Sequence, residues 1–184
     1  MLGVVGWFVI RYPHGRRSRR TVKARRIDRG REMLLMVLSA TGLGIIPSLY
    51  VFAGQWRFAD YPFHWWQAWI GIAVFGASLW LFRWTHRDLG RNWSVTLELR
   101  DQHALITGGV YNRVRHPMYA AFWLWAVAQA FLLPNWFAGA AGLVGFGILF
   151  FFRVPHEEQM MIETFGDQYR AYMARTHRII PGVY

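Results

Sequence analysis

The chain has 184 residues, of which 54% are hydrophobic, 18% aromatic and only 17% charged. A soluble domain usually carries about 25% charged residues, so this composition excludes a disordered chain, a coiled coil and an ordinary DNA-binding module, and indicates one membrane-embedded domain. The net charge is +11 and there are no cysteines, which excludes disulfides, thiolate catalysis and cysteine-ligated metals.

Residues 1–10 are apolar but too few to cross a bilayer. The positive charges follow this stretch instead of preceding it, which argues against a signal peptide. We therefore predict a short, partial or tilted first helix, the alternative being a start site that lies downstream of the true one. A basic cytoplasmic segment follows and ends at residue 32.

Three later runs carry no charged side chain, and they cover residues 33–56, 61–82 and 116–152. A span needs roughly 20 apolar residues, so each of the first two runs predicts one span within residues 33–84. The third run predicts a helical hairpin at about 117–133 and 135–153, turning at Pro134-Asn135. The expected fold is all-α: a polytopic membrane bundle of about four full spans plus the short N-terminal helix.

The basic residues alternate between the predicted loops. Ten lie in residues 11–31, six in 83–115 and four in 153–184, whereas the 54–64 loop carries one. By the positive-inside rule the three basic regions face the cytoplasm, as in a multi-pass protein of a bacterial inner membrane. The charge is then explained by topology and lipid headgroups, and nucleic acid is not expected as a partner. The spans lack ionisable residues in their middles, which argues against ion-coupled transport.

The polar residues are concentrated in two segments on the cytoplasmic side, 83–119 and 153–184, and within the first the stretch from residue 103 to 119 stands out. Its Gly108-Gly109 pair permits a tight turn in which the backbone approaches a ligand closely. Pro117 suits the first turn of the hairpin helix with His116 just outside it, so backbone N–H groups and the helix dipole face a ligand. The alternative is an interfacial loop that anchors to headgroups.

The second segment begins at Arg153, where the last charge-free run ends. Glu157 and Glu158 follow and can bind a cationic amine. Pro155 also predicts a helix that starts here, with both carboxylates in its first turn complementing its dipole. Arg153 and Glu157 would align on a continuing helix, but proline normally interrupts one. The histidines have no metal-site spacing, so no metal is expected.

Together the two segments resemble the conserved regions of the isoprenylcysteine carboxyl methyltransferases and related phospholipid methyltransferases. The stretch Leu89-Gly90-Arg91-Asn92-Trp93-Ser94 also resembles the bacterial branch of this family. The first region is matched by His103-x-Leu105-x-Thr107-x-Gly109-x-Tyr111-x-x-x-Arg115-His116-Pro117-x-Tyr119. The second is matched by Glu157-Glu158, Phe165-Gly166-x-x-Tyr169-x-x-Tyr172 and Ile180-Pro181. The resemblance covers roughly residues 80–184. It implies one domain, with a cytoplasmic cofactor loop at 85–118, the hairpin at 119–153 and a C-terminal helix in 154–184.

The resemblance implies an S-adenosyl-L-methionine site on the cytoplasmic side, closed by the C-terminal helix. The positions that correspond to cofactor contacts are His103, Ala104, Leu105, Ile106, Tyr111, His116, Pro117, Met118, Tyr119, Glu157 and Glu158. Arg153 matches an arginine assigned to the acceptor carboxylate, and is the catalytic candidate. Pro155 and His156 depart from the eukaryotic enzymes, which have more acidic residues there, and this leaves the acceptor open.

The resemblance further implies an integral membrane methyltransferase with a lipophilic acceptor. Methyl transfer from a sulfonium is an in-line displacement, so the protein needs to bind, align and exclude water without a covalent nucleophile. The acceptor alternatives are a prenylcysteine-like carboxylate, a phospholipid amine and a small lipophilic thiol. A non-catalytic membrane scaffold is the alternative of a different class, and binding of S-adenosylhomocysteine discriminates it.

Overall fold

The computed structural model describes residues 25–26, 29–89, 98–99 and 105–183. Its helices are α1 (Arg29–Ala40), a π-helical turn (Thr41–Ile45), α2 (Ile46–Ala53), α3 (Trp65–Leu89), α4 (Pro117–Leu132), α5 (Trp136–Phe165) and α6 (Asp167–Arg175). Short 3-10 turns cover Arg57–Ala59 and Gly109–Asn112, and Arg25–Arg26 (β1) pairs antiparallel with Glu98–Leu99 (β2). The predicted N-terminal helix and the candidates His103 and Ala104 lie outside the described residues.

Three helical segments in the described part of the chain are long and apolar enough to cross a membrane. They are Gly30–Ala53, which runs through the π-helical turn, Trp65–Leu89 and Trp136–Phe165. The hairpin helix α4 is apolar but has 16 residues, which at 1.5 Å per residue gives about 24 Å. Half of the most apolar stretch of α5 is buried, against 22% for each of the other two, so α5 is the central helix. The predicted all-α polytopic membrane bundle is confirmed.

The predicted hairpin turn is present, and Asn135 holds it. The Asn135 side chain accepts a hydrogen bond from Ala138 N at 2.8 Å, which caps α5. Its amide nitrogen donates to Asp60 Oδ1 and to Trp56 O, both at 2.7 Å. Because this residue is fully buried, its hydrogen bonds fix the hairpin against the loop between α2 and α3.

The prediction that Pro155 starts a new helix is wrong. Helix α5 runs without a break from Trp136 to Phe165 with Pro155 inside it. Pro155 lies on the exposed face of the helix, whereas its neighbour Val154 is buried in the core. Packing of the buried face thus outweighs the one backbone hydrogen bond that proline removes. Glu157 and Glu158 are mid-helix residues, so they do not complement an N-terminal dipole.

A sharp reversal at Gly166 ends α5 and redirects the chain. Gly166 has φ 55° and ψ −127°, a conformation that is essentially restricted to glycine. The predicted C-terminal helix of 154–184 is therefore divided: residues up to 165 extend α5, and α6 is a separate helix of nine residues. The reversal brings residues 172–178 back against the start of α4.

Candidate functional site

The start of α4 is fixed by the C-terminal tail. His116 is the N-cap residue and Pro117 is the first helical residue, as predicted. His116 N donates to Arg178 O at 2.8 Å and Arg115 N donates to His177 O at 2.7 Å. The backbone N–H of His116 is therefore used by the tail and is not directed at a ligand. Pro117 is buried and Met118 is partly buried in the first turn.

Glu158 is the centre of a buried ion-pair cluster, which we call the latch (Arg115, His116, Glu158 and Arg178). Glu158 Oε1 accepts from Arg115 Nε at 2.9 Å and lies 3.2 Å from His116 Nε2. Its Oε2 accepts from Arg178 Nε at 3.1 Å and from Arg178 NH2 at 2.9 Å. The Glu158 side chain is 5% exposed, and both oxygens are engaged. The latch joins α5 to the start of α4 and to the tail.

Arg115 extends the latch to α6. Its terminal nitrogen NH1 donates to Met173 O at 3.2 Å and to Thr176 O. These two carbonyls lie at the end of α6, where a helix leaves its last carbonyls without an intrahelical partner. A buried arginine can satisfy them while it neutralises Glu158, so one side chain fixes both the helix end and the carboxylate.

Glu157 belongs to a second group on the neighbouring face of α5. Its Oε2 accepts a hydrogen bond from Tyr119 Oη at 2.7 Å. The Tyr119 ring lies 5.5 Å from the His116 ring and 5.9 Å from the Phe150 ring. Arg153 precedes Glu157 by four residues, and the unbroken helix places the two on one face. The structure thus brings His116, Tyr119, Arg153 and Glu157 together.

Arg153 is paired with a residue that the sequence did not suggest for the site. Its NH2 lies 3.2 Å from Glu32 Oε1, and the two side chains are 11% and 9% exposed. Glu32 is in the first turn of α1. A role for Arg153 limited to contacts with lipid phosphates does not fit this burial. Only a weak signal marked Glu32 in the sequence: it is a lone carboxylate between a basic segment and an apolar run.

Tyrosines close the site on the side of α6. Tyr172 Oη donates to Tyr111 O at 2.6 Å, and both residues are buried. Burial raises the pKa of Tyr172 to about 12, so its hydroxyl stays a neutral donor at ordinary pH. Burial, together with the nearby Glu157, also raises the pKa of Tyr111. Tyr111, which the sequence predicted as a cofactor contact, therefore lies near Glu157. Its backbone carbonyl is hydrogen-bonded by Tyr172 of α6.

The tight turn predicted at Gly108-Gly109 is present but serves another purpose. Gly109 has φ 62°, and a Cβ there would lie 2.1 Å from Asp88 Oδ2. Asp88 Oδ2 accepts from Val110 N at 2.9 Å. The backbone thus approaches a side chain at the end of α3, not a ligand. Leu105 and Ile106 are partly buried in the segment that leads into this turn.

The site presents a carboxylate beside aromatic side chains, an arrangement that can bind a ligand ammonium. Glu157 is a carboxylate that, among the described side chains, receives a hydrogen bond from a phenol, so it keeps capacity for a ligand ammonium. His116 and Tyr119 supply flat walls. In the described ranges no cluster of three or more His, Asp or Glu side chains has the arrangement of a metal site.

The latch contains two residues, Arg115 and Arg178, that were not among the predicted site residues. Arg115 stands within the predicted pattern, next to His116, and only its charge pointed to a role. No sequence signal marked Arg178, because its pairing with Glu158 depends on the reversal at Gly166. Glu158 was predicted as a cofactor contact, and in the structure its oxygens serve the latch.

Comparison with known proteins gives a consistent result. The model of the isoprenylcysteine carboxyl methyltransferase (ICMT) family matches residues 69–163, just over half of the chain. A protein-S-isoprenylcysteine O-methyltransferase B of Arabidopsis thaliana is 31% identical over 122 residues, 65% of this chain and 62% of that protein. A probable protein-S-isoprenylcysteine O-methyltransferase of Oryza sativa subsp. indica is 29% identical over 126 residues, 67% of this chain and 66% of that protein.

A solved structure is similar over most of the chain. The eukaryotic intramembrane Ras methyltransferase ICMT matches with a TM-score of 0.57 and 26% sequence identity. The match covers 85% of this chain and 55% of that one. The chain thus spans two thirds or less of the length of these proteins. It shares the membrane helical fold of the solved structure.

Proposed function

The chain belongs to the isoprenylcysteine carboxyl methyltransferase family, and from that premise we propose that it is an integral membrane methyltransferase. Its methyl donor is S-adenosylmethionine and its acceptor is lipophilic. The observation that carries this proposal is the pairing of Glu157 with Tyr119. It offers a carboxylate, oriented by one phenol, at the point where the hairpin helices meet the C-terminal segment.

When bound, S-adenosylmethionine supplies an activated methyl group, so the protein's task is binding, alignment and exclusion of water. Glu157 would hold the amino group of the cofactor, and the hydrogen bond from Tyr119 keeps the Glu157 carboxylate in place. His116 and Tyr119 form an aromatic wall. Arg153, at the acceptor end, orients the headgroup of the acceptor. We assign the cofactor contacts to the residues matched in both conserved regions, except that Glu158 acts through the latch.

The latch has a clear use in this proposal. By tying α6 and the tail to the start of α4 through Glu158, it covers the cytoplasmic side of the site. A covered site strengthens its electrostatic contacts and prevents hydrolysis. The lipophilic part of the acceptor enters from the membrane, where apolar faces of the spans are exposed.

We place this site on the cytoplasmic side because the basic residues cluster in 11–31, 83–115 and 153–184. A cysteine introduced at residue 175 of this cysteine-free chain should react with a membrane-impermeant thiol reagent only after the membrane is opened. A cysteine in the 54–64 loop is the matched control and should react in intact cells. Labelling at residue 175 in intact cells would contradict the proposed orientation of the chain in the membrane.

Calorimetry with S-adenosylhomocysteine and the detergent-purified protein tests the function. We expect saturable one-to-one binding, and transfer of label from S-adenosylmethionine into a membrane lipid extract or a farnesylcysteine analogue. A folded protein that binds no S-adenosylhomocysteine would instead be a scaffold that has kept the fold. Binding of S-adenosylhomocysteine without methyl transfer to either acceptor would indicate that the methyl acceptor is another lipophilic molecule.

A further inference from the structure

A second pocket lies at the end of the bundle opposite the latch, between the start of α3, the end of α4 and the start of α5. Its volume is about 460 Å³, which is within the usual range of small-molecule sites. Its apolar lining comes from Pro62, Ala130, Phe131 and Trp136. The described residues that line it include no Lys, Arg, Asp or Glu, so the pocket suits a ligand part that is apolar and uncharged.

The wall of the pocket is held in place by contacts within the protein. Tyr61 Oη donates to Ala130 O and to Leu133 O, both at 3.2 Å, and these carbonyls lie at the end of α4, where a helix needs outside donors. The Tyr61 ring lies 4.9 Å from the Trp136 ring. The wall is therefore formed before any ligand binds, and the Tyr61 hydroxyl is already engaged.

Gln67 supplies hydrogen-bond donors to this pocket. It is 9% exposed and lines the pocket, and its Oε1 accepts from His64 N at 2.8 Å, which caps the start of α3. A backbone N–H can only donate, so this bond fixes which side of the amide carries the oxygen. The amide nitrogen Nε2 faces the other way, has no hydrogen-bond partner among the described residues and is not sealed off from the surface. A largely buried amide without an acceptor is unfavourable.

The pocket lies at the depth of a membrane interface. The candidate span Trp65–Leu89 begins beside it. Three tryptophans around it, Trp65, Trp69 and Trp136, are 71–83% exposed, as is typical of side chains at the level of lipid headgroups. A phospholipid presents ester carbonyls, which are uncharged acceptors, next to its acyl chains at this depth. Water could accept from Gln67 but would leave the apolar lining uncovered.

We propose that this pocket is a phospholipid site in which Gln67 Nε2 donates to an ester carbonyl of the lipid. One acyl chain packs against Phe131 and Trp136, and the headgroup extends past the exposed His64 to the aqueous side. The bound lipid connects the ends of three helices far from the latch, so it is a structural ligand and not the methyl acceptor. The proposal does not depend on the methyltransferase function.

The test compares two lipids that differ only at the ester carbonyls, dioleoyl phosphatidylethanolamine and its diether counterpart. Each is titrated into the delipidated, detergent-purified full chain, and native mass spectrometry measures the affinity of the first bound lipid. The wild-type protein should bind the ester lipid about fivefold more tightly, the effect of one neutral hydrogen bond. In Gln67→Met this preference should disappear.

Matched variants separate recognition from changes in the fold. Gln67→Glu keeps an oxygen for His64 N but removes the amide donors, so it should also lose the ester preference, even if Gln67→Met does not fold. Gln55→Glu adds the same charge at an exposed loop position and should keep it.

Ala130→Leu fills the pocket and should weaken binding of both lipids about tenfold. Ala73→Leu adds the same bulk on an exposed face of α3 and should leave both affinities unchanged.

Three results would overturn the proposal. Equal affinity of the wild-type protein for the ester and diether lipids would mean that no ester carbonyl is recognised. An ester preference that persists in both Gln67 variants would place the recognition elsewhere. Unchanged lipid affinity in folded Ala130→Leu would mean that the lipid binds outside the pocket.

Discussion

Glu157 and Glu158 are neighbours in the sequence but lie in opposite environments. Glu158 Oε1 accepts a hydrogen bond from Arg115 and contacts His116, and Glu158 Oε2 accepts from Arg178. Glu157 receives one hydrogen bond, from Tyr119, among the described side chains. Successive residues of a helix are rotated by about 100°, so α5 presents Glu158 to the latch and Glu157 to the proposed ligand site.

The difference separates stability from binding. A carboxylate whose two oxygens are both engaged by arginines contributes to holding the chain together. A carboxylate that is oriented by a single neutral donor retains capacity for a charged ligand. Substituting each of the two by glutamine, which preserves shape, should therefore change different measurements.

The largest effect is expected for Glu158→Gln. The substitution leaves Arg115 largely buried, at 9% exposure, without its counter-charge. Breaking a buried pair in this way costs about 3–5 kcal/mol, and the lower end applies here because Arg178 is 30% exposed. The free energy of unfolding, measured by denaturant titration in mixed micelles, should fall by about 3 kcal/mol.

Glu163→Gln, on the exposed face of the same helix, is the control and should change stability little. Cofactor affinity of folded Glu158→Gln should stay within about threefold of wild type, since this is under 0.7 kcal/mol. If the Glu158→Gln protein is stable but binds the cofactor more weakly, then Glu158 contacts the cofactor directly, as the sequence predicted.

Glu157→Gln should show the reverse pattern. Loss of a charge-assisted hydrogen bond to the cofactor's amino group is worth about 1.5–3 kcal/mol, which is roughly 10- to 100-fold in affinity. The free energy of unfolding should change by less than about 1 kcal/mol, since Tyr119 can donate to the Gln oxygen as well. Calorimetry with S-adenosylhomocysteine measures the first effect. Unchanged affinity would remove Glu157 from the site.

The sequence predicted the membrane fold and the hairpin well, because long charge-free runs and Pro134-Asn135 are local signals. It predicted the start of α4 for the same reason, since Pro117 favours a first turn. It failed at Pro155, where a local rule was outweighed by packing of the buried face of α5. It also could not reveal the pairs Glu32–Arg153 and Glu158–Arg178, which join residues distant in sequence and depend on the tertiary fold.

Arg153→Lys tests whether the ligand face needs the planar guanidinium. Lysine keeps the charge for Glu32 but loses the fixed pair of donors that orients a headgroup. Turnover or acceptor affinity should drop at least tenfold, about 1.4 kcal/mol, while cofactor affinity stays nearly unchanged. Steady-state kinetics with the acceptor that takes up the methyl group, from the membrane lipid extract or the farnesylcysteine analogue, gives this separation. Wild-type kinetics would mean that apolar burial alone positions the acceptor.

Tyr172→Phe should have the smallest effect, and it tests the contact by which α6 holds Tyr111. The substitution removes the hydrogen bond to Tyr111 O, a neutral bond worth about 1 kcal/mol. The pKa of Tyr172 is raised from 10.0 to about 12, so the folded state favours its neutral form. That contribution to stability is complete below pH 10 and is lost as the pH rises through 12. Wild type should therefore be more stable than Tyr172→Phe by about 1 kcal/mol near pH 8, and this advantage should disappear as the pH rises from 10 to 12. Cofactor affinity measures whether this contact and the proposed ligand site are coupled. A decrease of more than about threefold would show that α6 holds Tyr111 in the wall of the cofactor site. Unchanged affinity would limit the role of Tyr172 to stabilising the packing of α6.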